Sequence, residues 1–344
     1  MLEFLFNIFE QAPHGWLIVI FILCLGVGML ALIKGADWFV GGASNIAKKF
    51  GISSLVVGLT IVAFGTSAPE ASVSISSSVA GATDISTGNI VGSNIFNLLV
   101  VLGMSALFMP IVVGKSVIRR DIPVMLGSAF LLMIFSFFFG GENANELIRL
   151  EGIIFLVFML LYVIFTIIDE KKHAKGLTPE EVEQERMERS KINIWTSIIW
   201  LIVGLACVIV GGELVTYGAK NIAIELGASE ALVGLTIVAV GTSLPELVTS
   251  LVAAKKKENE IALGNVIGSN IFNIMFILGA ASTIAPLGIS SAVLIDIVIM
   301  CVIFVAFFIL CLCKKNIGKV EGIVMISLYV IYLIYIVLRD MGII

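Results

Sequence analysis

Apolar residues fill long uninterrupted blocks of this chain, and short polar stretches separate the blocks. Crossing about 30 Å of hydrocarbon at 1.5 Å per residue takes roughly twenty residues. Runs long enough fall at 15–47, 53–80, 88–110, 121–140, 149–168, 194–220, 229–254, 261–286, 292–313 and 319–339. The pattern predicts an all-α polytopic membrane protein with ten transmembrane helices. The longest polar interruption, Asp169 to Lys191, is a mixed-charge run that leaves five spans on either side. It divides the chain into a first five-helix repeat over 1–168, a linker over 169–193 and a second five-helix repeat over 194–344. The linker reads as a solvated tether, part of it helical. The first block lacks a basic flank and a small-residue cleavage site, and it reads as a retained span rather than a signal peptide.

The two halves are copies. A shift of 176 residues aligns them without a gap from Gly35/Gly211 through Gly103/Gly279. GLTIVAFGTSAPE (Gly58 to Glu70) returns as GLTIVAVGTSLPE (Gly234 to Glu246) with 11 identities in 13, and GNIVGSNIFN (Gly88 to Asn97) returns as GNVIGSNIFN (Gly264 to Asn273) with 8 in 10. Each copy holds an odd number of spans, so the second enters the membrane from the opposite side. Two inverted repeats follow, and in transporters of that symmetry the ion sites lie near the midplane, where broken helices of the two halves meet.

Charge sets the orientation. With the N-terminus outside, seventeen Lys and Arg fall on the inner side and three on the outer, with Lys34 left inside a span. The positive-inside rule then predicts both termini outside, the linker in the cytoplasm, and a plasma (inner) membrane location. Hydrophobic residues make up 59% of the chain and charged ones 13%, with a mean hydropathy of +1.11, so no aqueous domain is expected. The five cysteines have no paired spacing and read as small buried hydrophobes. Both histidines, His14 and His173, lie outside the spans, which removes His-based chemistry from the membrane interior.

Within this apolar background each half carries one glutamate, Glu70 and Glu246. A charged side chain at bilayer depth costs roughly 2.5 to 3.5 kcal/mol or more, which makes it a functional-site hypothesis by default. Lys and Arg are absent from 50–110 and 221–254, so no nearby protein cation is expected to neutralise either one. Pro69 and Pro245 have no amide hydrogen, which predicts a local break freeing the Gly65 and Gly241 carbonyls. Thr66 stands four residues before Glu70, and Thr242 four before Glu246, placing hydroxyl and carboxylate on one helix face. Ser93 with Asn97 and Ser269 with Asn273 repeat that spacing, suited either to coordinating a cation or to bonding between helices. All these ligands are hard oxygens, which suit Ca²⁺ and Na⁺ rather than metals that prefer thiolate or imidazole. Asp37 and Glu213, which also match, are expected at the interface, and Asp121 and Asp296 are expected as helix N-caps.

The two motif pairs resemble the α-repeats of the calcium/cation antiporter superfamily, and the likeness extends over essentially the whole chain, closest in pattern to its prokaryotic sodium/calcium branch. The resemblance implies Glu70 and Glu246 as Ca²⁺ ligands, and Na⁺ held by Thr66, Ser67, Thr242, Ser243, Ser93, Ser269 and the carbonyls of Ala63 and Ala239. Asn97 and Asn273 occupy positions where sodium–calcium exchangers often carry aspartate, leaving at most two formal charges, and proton-coupled members look similar there. The expected function is Ca²⁺/Na⁺ antiport by alternating access, with Ca²⁺/H⁺ antiport as the alternative. The long, glycine-rich first and sixth spans are candidates to slide across the other eight. The partners are inorganic cations and the lipid bilayer; no cofactor and no nucleic acid is expected. A channel is disfavoured because channels usually build rings from symmetric subunits. An intramembrane hydrolase is disfavoured because Ser67 and Ser243 lack a base in their motifs.

Overall fold

The computed structural model describes residues 6, 9, 14–138, 145–173, 190–226 and 239–343. Positions 174–189 of the linker, and 227–238 with the start of the second GLTIVAVGTSLPE motif, lie outside the described residues. The protein is almost entirely helical: α1 (His14–Phe50), α2 (Ser54–Thr66), α3 (Ala68–Val79), α4 (Thr83–Phe108), α5 (Val117–Phe137), α6 (Arg149–His173), α7 (Ile194–Glu225), a short α8 (Ala239–Thr242), α9 (Leu244–Lys255), α10 (Asn259–Ile284), α11 (Ser291–Cys313) and α12 (Lys319–Asp340). Among the described residues eight helices are long and apolar enough to cross a membrane, and a ninth span results if the bent pair α2–α3 counts as one.

Local sequence sets the helix ends. The Ser53 hydroxyl receives the Val56 amide at 3.3 Å and starts α2, and the Asn193 side chain receives the Trp195 amide at 3.0 Å and starts α7. Glu151 and Glu321, paired in the repeat, turn back onto the amides of Ile148 (2.8 Å) and Gly318 (3.0 Å) at the starts of α6 and α12. These oxygens satisfy amides that have no partner within the helix.

Helices α4 and α10 form the centre. The most apolar stretch of α10 is 94% buried and that of α4 78%, against 17% for α12. A lipid-facing belt of Trp16, Ile22, Leu23 and Leu30 on α1 matches one of Ile323, Val324 and Ile331 on α12. Two short antiparallel ladders tie the halves together: β1 (Ile111–Val112) with β4 (Asn316–Ile317), and β2 (Glu146–Leu147) with β3 (Leu287–Gly288). Glycines allow the closest approaches. A Cβ on Gly35 of α1 would sit 2.9 Å from the Gly204 carbonyl oxygen of α7, a Cβ on Gly152 would sit 2.6 Å from the Gly279 carbonyl oxygen, and one on Gly322 equally close to that of Gly103. Each α4- or α10-type helix therefore packs on the last span of the opposite half.

Asp121 and Asp296 do not act as N-caps. Asp121 is fully buried and takes the Arg120 guanidinium at 2.8 and 3.1 Å and the Tyr162 hydroxyl at 3.0 Å; Arg120 also reaches Asp169 at 2.8 Å. Asp296 lies inside α11, whose cap is Ser290, and pairs with Arg339 of α12 at 2.9 and 3.0 Å. An arginine fork satisfies both carboxylate oxygens at once, which outweighs capping a helix end open to water. Asp37, by contrast, is exposed and pairs with Lys256 at 3.0 Å, in keeping with an interfacial place.

The α1–α7 contact is testable by substitution. Gly35→Leu is expected to lower the thermal stability of the purified protein by about 1–3 kcal/mol, because the backbones must separate. Gly26→Ala, where an added Cβ would meet nothing within 4 Å, is expected to be neutral or stabilising by up to about 1 kcal/mol. Equal losses in thermal-unfolding curves would contradict a contact confined to one face.

Candidate cation site

Each motif breaks its helix at a serine. Ser67 (φ −80°, ψ 7°) and Ser243 (φ −90°, ψ 6°) leave helical geometry, and α2 and α3 meet at 49°. Pro69 and Pro245 stand in the first turn of the helix that follows, where a missing amide hydrogen costs nothing, and Glu70 and Glu246 come next. Asn97 and Asn273 each open a π-helical turn, Asn97–Val101 and Asn273–Leu278. Wider turns of this kind often mark functional positions in membrane and soluble helices alike.

These breaks bring the two motifs together. Glu70, Glu246, Thr66, Ser67, Asn97, Ser243, Ser269 and Asn273 are wholly buried, and Ser93 is 3% exposed. The bonding is reciprocal between halves. The Ser67 hydroxyl donates to Glu246 at 2.9 Å, and the Ser243 hydroxyl donates to Glu70 at 3.0 Å. Ser93 lies 3.3 Å from Glu70 and 3.0 Å from Ser243, and its oxygen receives the side-chain amides of Asn97 and Asn273, both at 3.4 Å. Thr66 and Ser269 face the Glu246 carboxylate as well. The ion pairs lie elsewhere, so among the described residues neither glutamate meets a basic side chain.

What the hydroxyls leave over is one-sided. Glu70 Oε2, Glu246 Oε2, Asn97 Oδ1, Asn273 Oδ1 and Ser269 Oγ are buried without a hydrogen-bond partner. Such atoms are rare and call for an explanation. All five are oxygens of the two motif pairs that are able to accept, and a hard cation or water molecules can satisfy them. Among the described residues no group of three or more His, Cys, Asp and Glu side chains stands together, so the oxygens here come from a mixture of carboxylates, amides and hydroxyls.

The site is not symmetric. Thr66 is buried and Thr242 half-buried; Asn265 of α10 is buried and its counterpart Asn89 of α4 half-buried. A Cβ on Gly268 would sit 2.6 Å from the Leu59 carbonyl oxygen of α2; Leu235, the counterpart of Leu59, lies outside the described residues. The Ser67 amide bonds the Ala63 carbonyl at 3.0 Å, while the Ser243 amide bonds Val240 at 3.1 Å rather than Ala239. One flank of the site is thus packed shut by α2 on α10.

Sequence reasoning passed over Asn265 and Asn94. Asn265 receives the Thr66 hydroxyl at 3.0 Å, and Asn94 receives the Asn273 amide at 3.0 Å. Both are repeated polar residues inside an apolar stretch, a signal that was present in the quoted motifs.

The sequence model of the family described as sodium/calcium exchanger protein matches residues 20–168 and 196–338. Among curated proteins, the putative antiporter CaxA of Alkalimonas amylolytica is 39% identical over 310 residues, 89% of this chain and 95% of that protein. The sodium/calcium exchanger MaX1 of Methanosarcina acetivorans is 34% identical over 351 residues, 92% and 99%. A solved structure of the sodium–calcium exchanger NCX_Mj, from a crystal soaked with 10 mM Na⁺ and no Ca²⁺, superimposes with a TM-score of 0.78 at 33% identity, covering 91% of this chain and 98% of that one.

The unequal roles of Ser93 and Ser269 predict unequal mutants despite identical surroundings in sequence. Ser93→Ala removes the acceptor of two buried amides and is expected to cost about 1–3 kcal/mol of stability without added cations. Ser269→Ala removes a hydroxyl that faces the Glu246 carboxylate but accepts no side-chain amide, and is expected to cost less, about 0.5 kcal/mol. Thermal unfolding of the two variants in cation-free buffer checks the difference.

Proposed function

This chain belongs to the sodium/calcium exchanger family, and on that premise we propose that it exchanges Ca²⁺ for Na⁺ by alternating access, with Glu70 and Glu246 as the shared ligands. The family match and the likeness to NCX_Mj make it a multi-pass membrane antiporter of Ca²⁺ and other cations, a transporter rather than an enzyme. The observation that carries the finer reading is the set of five buried, unpartnered oxygens around two carboxylates that meet no basic side chain. Asn97 and Asn273 are neutral, so the site holds two formal negative charges, enough for one Ca²⁺ or two Na⁺. Filling it with both would leave uncompensated positive charge in a low-dielectric cavity, and this makes binding exclusive and transport an exchange. In this reading Ca²⁺ lies between the two glutamates. Na⁺ uses the hydroxyls of Thr66, Ser67, Ser93, Thr242, Ser243 and Ser269, the Asn97 and Asn273 oxygens, and the Ala63 and Ala239 carbonyls. Sodium coupling is favoured over proton coupling because the name of MaX1 and the structures of NCX_Mj pair sodium with calcium, and because hydroxyl and carbonyl oxygens suit an alkali cation.

The ten-span inverted architecture is part of the same proposal, and the two ladders support it. β1 and β2 flank α5, one at each end; β3 and β4 flank α11. β1 pairs with β4, and β2 with β3, so the start of α5 meets the end of α11 and the two equivalent helices run in opposite directions. Together with the Lys and Arg bias, this supports both termini outside and the linker in the cytoplasm. The first and sixth spans, α1 and α7, pack on each other along the Gly35–Gly204 contact, which supports their moving as one unit across the rest.

Ca²⁺ uptake into reconstituted vesicles is expected to follow an imposed Na⁺ gradient and to ignore a pH gradient of equal size; the reverse result would establish proton coupling instead. Glu70→Gln and Glu246→Gln are each expected to reduce uptake to background while the protein inserts and unfolds cooperatively. Sustained Ca²⁺ exchange by either variant would remove the carboxylate pair from the mechanism.

A further inference from the structure

Thr66 has more acceptors than it has protons. Its hydroxyl lies 3.1 Å from the Val62 carbonyl, 3.4 Å from the Ala63 carbonyl and 3.0 Å from Asn265 Oδ1, and it also faces the Glu246 carboxylate. A threonine on a helix ordinarily gives its hydrogen to the carbonyl four residues back. Here the orientation of Asn265 decides otherwise. Its amide nitrogen faces the Glu246 carbonyl at 3.4 Å and the Ser250 hydroxyl at 2.9 Å. A carbonyl can only accept, so the NH₂ end of the side chain points toward α9 and the oxygen end toward Thr66. In that contact Thr66 is the donor, and Asn265 Oδ1 at 3.0 Å is the shortest of its measured hydrogen-bond acceptors.

The consequence falls on the ion site. With the hydrogen directed to Asn265, both lone pairs of the Thr66 oxygen are free. The Ala63 carbonyl, which already accepts the Ser67 amide at 3.0 Å, keeps its second lone pair. Were the hydrogen turned to Ala63, that carbonyl would be filled and the threonine oxygen misaimed. Asn265 is wholly buried and belongs to α10, whereas Thr66 ends α2, so one amide sets the direction of a hydroxyl in the first half while holding the turn that carries Glu246 in the second. The equivalent Asn89 is half-buried, and its amide bonds Ser74 at 3.1 Å.

We propose that Asn265 is a positioning residue for monovalent-cation binding: it fixes the Thr66 hydroxyl so that the Thr66 and Ala63 oxygens are presented to Na⁺. This rests on the exchange reading above, and it predicts coupling between two residues rather than mere sensitivity at one. Orienting groups behind a ligand act in this way at metal sites generally.

The test is a double-mutant cycle on the full chain in detergent, with Na⁺ and Ca²⁺ binding each read from cation-dependent thermal stabilisation. Asn265→Ala and Thr66→Val are each expected to weaken Na⁺ binding about two- to tenfold, the loss of one oriented hydrogen bond, and to weaken Ca²⁺ binding less. The double variant is expected to lose no more than the worse single variant, since both changes remove the same interaction. In a Thr66→Ser background, which keeps the hydroxyl, Asn265→Ala is expected to weaken Na⁺ binding again. Additive losses, or equal losses for Na⁺ and Ca²⁺, would overturn the positioning role while leaving Na⁺ exchange intact. Absence of any Na⁺ stabilisation of the wild-type protein would overturn the exchange reading and this assignment together.

Discussion

A buried carboxylate with no lysine or arginine beside it among the described residues must share its charge with hydrogen-bond donors, and the architecture around Glu70 and Glu246 supplies them. Each receives a hydroxyl from the opposite half, Ser243 for Glu70 and Ser67 for Glu246. Hydroxyls supply a partial positive charge without filling the second carboxylate oxygen, which stays unpartnered in both residues. A lysine in the same place would satisfy the pair permanently and leave nothing for a transported ion. Partial satisfaction is unfavourable for the empty protein and favourable for binding, a balance expected where an ion must enter and also leave.

The reciprocal bonds mean that neither half builds the site alone. The breaks at Ser67 and Ser243 expose the necessary oxygens, and α4 and α10 bring Ser93, Asn97, Ser269 and Asn273 against them. Around this centre the pairings cross over, Gly103 with Gly322 and Gly152 with Gly279. The two copies therefore interlock like two hands rather than standing side by side. Outside the site the copies solve the same problem with different residues. Asp121 is neutralised by its neighbour Arg120, and Asp296 by Arg339 from the next helix. The buried carboxylate is repeated where the arginine is not, so pairing these acids matters more than where the cation is attached.

Identical motifs also rest in unequal environments. Thr66 and Asn265 are buried where Thr242 and Asn89 are half-buried; Ser93 receives the side-chain amides of both Asn97 and Asn273. In the proposed alternating-access cycle, a duplicated chain that faces two compartments in turn breaks its own symmetry in any one state, and the two halves would exchange these arrangements.

Hydropathy marked the eight helices long and apolar enough to span a membrane, nine with the bent pair, among the described residues, because a lipid environment permits few ways to satisfy a backbone and each takes about twenty apolar residues. The repeated Thr, Ser, Pro and Glu of the two motifs marked the chemistry, since polar groups in such stretches are too costly to be filler. The exposure of Asp37, which pairs with Lys256, agrees with its distance along the helix. The roles of Asp121 and Asp296 were not legible, because a position near a span end says capping, while the arginine that claims each acid is known only once helices pack. Asn265 and Asn94 were hidden for the same reason: an amide inside an apolar helix has no evident role until its partners, on helices distant in sequence, are in place. The one-dimensional pattern specified which residues are costly to bury, and only the packing of the two halves decided which of them answer one another and which oxygens remain for an ion.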